Sequence, residues 1–211
     1  LEMQYEKRLE EHAAELAEHF SHSTDPADLT KAIEYGEMAA KRATDVYAYG
    51  EAVRLLEQAI KVQEVLDPED KARRCDLLLA LSEALLSAGE PRRILDVELP
   101  AAFRVAEDIS DSVRASRICM VAVSALLCYA SGPGLVSPEL SLWAERADCY
   151  AQPGTVSRAR ADMLLGISRM YAGDLRSGVR LLTQALELAR NLGDPETFWS
   201  AAAMWLMMVS A

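Results

Sequence analysis

Apolar residues recur along most of this chain at the spacing of one helical face: Val53, Leu56 and Ile60 early, Val179, Leu182 and Leu186 late. Between these stretches the polar breakers keep a register. Asp25-Pro26, Asp67-Pro68, Ser110-Asp111, Pro153-Gly154 and Asp194-Pro195 each precede a helical pattern and carry start signals, since Asp or Ser caps free amides and Pro fits a first turn. A second set of breaks, near Tyr49-Gly50, Gly89-Glu90-Pro91, Gly132-Pro133-Gly134 and Gly173-Asp174, divides each unit into two helices.

The small residues Ala40, Ser82, Ser124 and Gly166 lie 42 positions apart, each behind an apolar neighbour (Ala39, Leu81, Val123, Leu165), and Met207-Met208 continues the series. That periodicity predicts an opening helix over 4–21, helix pairs over 27–48/50–66, 69–88/91–109, 111–130/138–151 and 155–172/174–192, and an unpaired helix over 195–211. Pro100 should kink or split the helix containing it. One such pair cannot bury its own apolar face, so the expectation is a single all-α repeat domain spanning 1–211.

Composition agrees: 51% of residues are apolar and only 6% aromatic, with Ala, Leu, Glu and Arg dominant. The net charge of -11 argues against direct nucleic-acid contact. It is placed unevenly, -7 over residues 1–66, -5 over 67–152 and +1 over 153–211. The chain opens on charged residues without an apolar leader core, and its most apolar stretch, 199–211, has 13 residues against the roughly 20 of a spanning helix. Cys75, Cys119, Cys128 and Cys149 form no CxxC pair, which fits a reducing cytoplasmic setting.

In the last unit, Leu164-Leu165-Gly166, Gly173-Asp174-Leu175, Gly178, Leu182, Ala185-Leu186 and Leu188-Ala189 resemble a tetratricopeptide repeat, departing from it at Arg169, where an aromatic residue is usual. A period longer than the common 34 residues leaves a HEAT-like or armadillo-like array as the alternative. The stretch His12-Ala13-Ala14-Glu15-Leu16-Ala17-Glu18-His19-Phe20, with Lys31-Ala32, Tyr35, Ala39-Ala40, Ala43 and Ala48 to Ala52, is similar to the segment that follows the ATPase module of bacterial multidomain signalling proteins, including large LuxR-type transcriptional regulators and ATPase-linked adenylate cyclases. The resemblance implies a right-handed superhelical solenoid of antiparallel helix pairs. It also implies a regulatory, non-enzymatic segment of a longer protein.

Candidate chemistry is sparse. No GxxxxGK[ST] is present, so no phosphate cradle is expected, and Ser131-Gly132-Pro133-Gly134 lacks the lysine of one. His12, His19 and His22 have no Cys beside them to complete a zinc site, and His19 is expected to pack beside Phe20. Cys119 and Cys128 lie in an apolar run and read as core. No catalytic residue, cofactor or metal is therefore assigned. The expected function is binding of a protein, a peptide or other domains of the same polypeptide.

By repeat position, the groove would be lined by Glu37, Lys41, Leu79, Glu83, Val121, Ala125, Met163, Ile167, Met170 and Tyr171, with Trp205 continuing the series. Glu37, Leu79 and Val121 there argue against a clamp for a peptide carboxylate. An architectural arm without an external ligand is the second reading. Trp199, Trp205, Leu206 and Met208 would form an apolar edge through which two copies pair.

Overall fold

Six helices open on a capping side chain, of which Asp25 and Asp111 stand at the expected starts. Asp25 accepts from the Ala27 amide (2.9 Å), Asp70 from Arg73 (2.9 Å), Asp111 from Val113 (3.0 Å) and Arg114 (2.9 Å), Ser137 from Leu140 (3.2 Å), Thr155 from Arg158 (3.2 Å) and Asp174 from Ser177 (3.1 Å). Each satisfies amide donors that the helix itself cannot pair. Backbone and side-chain donation also hold the carboxyls of Asp111 (chiefly from Arg114) and Asp174 (from Ser177) below their ordinary range.

The computed structural model describes residues 9–129 and 137–209. Its principal helices are α1 (Ala13–Ser21), α2 (Pro26–Asp45), α3 (Tyr49–Leu66), α4 (Lys71–Ser87), α5 (Leu99–Asp108), α6 (Ser112–Tyr129), α7 (Pro138–Tyr150), α8 (Val156–Tyr171), α9 (Leu175–Leu192) and α10 (Pro195–Val209). No strand occurs among the described residues, and no helix there is long and apolar enough to cross a membrane. The connector 131–134 lies outside the described residues.

Several boundaries differ from the sequence expectation. Of the opening helix expected over 4–21, residues 4–8 lie outside the described residues, 9–12 form a turn and the helix runs Ala13–Ser21. Asp67-Pro68 closes α3 instead of opening α4: the Asp67 carboxylate accepts from the Glu69 amide (3.1 Å), and Asp70 takes the capping role. The break between α2 and α3 falls at 46–48, not at Tyr49-Gly50. Tyr47 is left-handed there (φ 62°) and 79% exposed, while Gly50 sits inside α3. A left-handed tyrosine is strained where Gly would be relaxed. Tyr47→Gly is therefore expected to stabilise the fold by about 0.5–1 kcal/mol, read from urea unfolding followed by circular dichroism.

The chain divides into two compact units, residues 1–109 and 110–211, with the boundary between the second and third helix pairs. In the first unit α2 packs on both α1 and α3, and α3 on α4. Leu29, Ala32, Ile33, Ala59, Val62 and Leu77 form a core, with Phe20, Ile60 and Leu66 against it. His19 does pack beside Phe20, their ring centroids 5.3 Å apart and edge-on. Pro100 has the expected effect: a short turn Pro91–Arg93 leads into a π-helical segment Ile94–Glu98 before α5. Proline offers no amide to the residue 96 carbonyl and its ring crowds it, so the ladder slips, with the Leu99 amide donating to the Ile94 carbonyl.

In the second unit α8 packs against both α7 and α9, and α10 against α9 and α8. The 42-residue ladder holds where helices cross closely, since Ala40, Ser82 and Gly166 are buried, but Ser124 is exposed. In the third pair Ala122 and Ala125 occupy the buried positions instead. Cys75 and Cys119 are core residues, whereas Cys149 is exposed on α7.

Candidate functional site

Helix α2 places Glu37, Lys41 and Asp45 along one side at helical spacing, and α4 places Ala80, Glu83 and Ser87 along the facing side. Between them lies a cleft of about 290 Å³, floored by Ala40, Leu56 and Ala84. Three of the residues expected to line a groove, Glu37, Lys41 and Glu83, thus share one site.

Its electrostatics are acidic. Glu37, Asp45 and Glu83 bring three carboxylates to the rim, and Lys41, exposed and with no hydrogen bond or ion pair among the described residues, brings one cation. Glu37 also accepts a charge-assisted hydrogen bond from Arg73 of α4. Burial is the stronger influence on it and raises its carboxyl above the ordinary 4.5, even though Arg73 pulls the other way.

Sequence reasoning missed Arg73, yet the sequence carries a signal for it. Oppositely charged partners sit 36 residues apart in Glu37–Arg73, in Glu57–Arg93 (2.6 Å) and in Arg160–Glu196 (2.7 Å). Each links elements of successive helix pairs.

The other expected groove residues have different places. Leu79 is 1% exposed because the middle of α4 is apolar on most sides: Leu77, Leu78, Leu79, Leu81, Ala84 and Leu85 are all buried, and Glu83 and Ser87 are the exposed residues of its last turns. In the second unit Val121, Ala125, Met163, Ile167 and Met170 are likewise buried. Met170 fills the space above Gly178, where a Cβ would lie 2.0 Å from its Cγ. These six therefore offer no surface to a ligand. Tyr171, at the end of α8, remains partly exposed.

The C-terminal edge has a distinct character. Phe198, Ala202, Trp205 and Leu206 of α10 and Leu186 of α9 line an apolar trough of about 420 Å³, rimmed by Thr183, Glu187 and Arg190. Trp199, Leu206 and Met207 are 69%, 58% and 65% exposed. The Met208 side chain, expected at this edge, lies outside the described residues. No group of His, Cys, Asp and Glu among the described residues could hold a metal ion.

The sequence matches no protein-family model and no curated protein. A solved structure, the crystal structure of YrrB, a TPR protein with an unusual peptide-binding site, superposes with a TM-score of 0.55 at 17% identity. The match covers 95% of this chain and 96% of that one. This chain accordingly has the fold of a tetratricopeptide-type helical-repeat solenoid.

Proposed function

We propose that this chain is a protein- or peptide-binding repeat segment of a larger cytoplasmic signalling or transcriptional regulator, without catalytic activity of its own. The observation that carries the binding reading is the α2/α4 cleft, with Glu37, Asp45 and Glu83 against a single Lys41. The preferred occupant is an extended peptide bearing Lys or Arg, since carboxylates at a partly enclosed rim attract cations and repel anions. The peptide-binding site of the structurally similar TPR protein supports a peptide as the ligand, without bearing on its charge. The regulator context rests on the likeness of residues 12–52 to the helical segment that follows an ATPase module.

The test is fluorescence anisotropy with labelled peptides of equal length, one Lys/Arg-rich, one neutral and one Glu-rich. The basic peptide should bind with a dissociation constant on the order of 10–100 μM, the acidic one not measurably, and salt should weaken binding. Glu83→Lys should lower affinity by roughly tenfold, and Lys41→Glu should raise it. Affinity should also fall on acidification through the raised Glu37 pKa, because protonation removes a carboxylate that attracts the cation. Equal binding of all three peptides, or none, defeats the basic-peptide reading.

A second reading, an architectural arm relaying between an ATPase module and an output domain, is favoured by the ion pairs between successive helix pairs. Glu37–Arg73 already engages the most buried acid of the cleft internally.

A further inference from the structure

We infer that α10 is a self-association helix that pairs antiparallel with α10 of a second copy, the two-fold axis passing at Ala203. Its outward stripe runs Trp199, Ser200, Ala203, Leu206 and Met207, all exposed and uncharged. From Thr197 to Val209 there is no ionisable side chain, and the only one earlier in the helix, Glu196, is engaged by Arg160 within the same chain. Helices α1 to α9 all carry charged residues on their solvent faces.

The occupant follows from charge and symmetry. Residues 1–109 hold 24 acidic and 13 basic side chains and so account for the whole net charge of -11, whereas residues 110–211 hold 9 of each. Two copies repel through the first unit but meet no net repulsion through the second. The stripe is also self-complementary. Turning α10 about Ala203 sets Trp199 of one copy against Met207 of the other, a favourable sulfur–aromatic combination, and apposes the two Ala203 residues, whose small side chains permit close approach of the backbones. An isologous contact of this kind uses one surface twice and closes at a dimer.

Sedimentation equilibrium of the 211-residue chain should show a dimer at a concentration of roughly 100 μM. Trp199→Glu with Leu206→Glu should raise the dissociation constant by at least roughly tenfold, because each charge would be buried without a partner. Circular dichroism of this variant should be unchanged, since both positions are exposed in the single chain.

The geometry is tested with the exposed Cys149 replaced by Ser. Under mild oxidation Ala203→Cys should form an intermolecular disulfide, whereas Glu196→Cys should not, its copies standing about 21 Å apart along the paired helices, beyond disulfide reach. A monomeric parent at that concentration overturns the proposal, as does a dimer that survives the double substitution. Disulfide formation at residue 196, as in a parallel pair where residues 196 and 203 would each face their copies, would overturn the antiparallel arrangement. None of these outcomes depends on whether the α2/α4 cleft binds a peptide.

Discussion

Gly178→Leu is expected to destabilise the second unit by about 3 kcal/mol, because no side chain fits where α9 crosses α8. A Cβ at residue 178 would stand 2.0 Å from Met170 Cγ and 2.9 Å from the Gly166 carbonyl oxygen, and the latter is backbone that cannot swing aside. A Cβ at residue 166 would meet the same crossing from the other side, 3.1 Å from the Gly178 carbonyl oxygen and 3.2 Å from the side chains of Leu181 and Leu182. Even Gly178→Ala should lose about 1 kcal/mol net, although alanine in a free helix gains about that amount over glycine. Gly50→Ala is the control. It lies in α3 with open space around its Cβ and should gain about 0.5–1 kcal/mol. All three tryptophans, Trp143, Trp199 and Trp205, belong to the second unit, so urea unfolding followed by tryptophan fluorescence reads the Gly178 variants in the unit they affect. A Gly178→Ala protein more stable than the parent would refute the close crossing.

Arg158→Met should cost about 2 kcal/mol at neutral pH, with a pH dependence that a simple loss of packing would not give. Arg158 ties α7 to α8: it donates to the Asp148 carbonyl (3.0 Å) and pairs with the carboxylates of Asp148 (2.6 Å) and Asp162 (2.8 Å). Burial raises the Asp162 carboxyl above its ordinary 3.8, and Arg158 is what opposes that rise. Removing the guanidinium leaves the carboxylate partly buried and unopposed, so its folded-state pKa climbs further above the unfolded value. An acid with a raised folded pKa destabilises the fold once it is ionised. The defect should therefore be full above that raised pKa and shrink as pH falls towards the ordinary value. Adding Asp162→Asn to Arg158→Met should recover most of the loss at neutral pH and flatten the pH dependence. A defect independent of pH would assign Arg158 a packing role instead.

The part of the site that was legible in the sequence was the polar part. Glu37, Lys41 and Glu83 came from repeat position alone, and charged residues on a helix between apolar stripes have only the solvent side to face. The same repeat spacing points Leu79 and Ile167 into that groove, yet both lie in the core. Repeat spacing fixes the angle of a residue around its helix but not how many neighbours surround that helix, and α4 is covered more completely than its register suggests. Gln63 shows the same limit for a polar residue. It is 2% exposed in α3, where its amide donates to the carbonyls of Asp67 (2.6 Å) and Asp70 (3.2 Å) and holds the turn into α4. No local pattern marks a glutamine for that task.

What the sequence determined by itself was the all-helical character of the chain, because caps, breakers and 3.6-residue periodicity act over a few residues and need no distant partner. It also determined where the charge lies, since that is composition read along the chain. The tertiary structure decided the rest: the left-handed turn at Tyr47 in place of Gly50, the exposure of Ser124 against the 42-residue ladder, the Arg73 bridge to Glu37, and the division at Ile109–Ser110. Each depends on which surfaces meet, and hydrophobic burial, being non-directional, settles that only when all the helices are packed together.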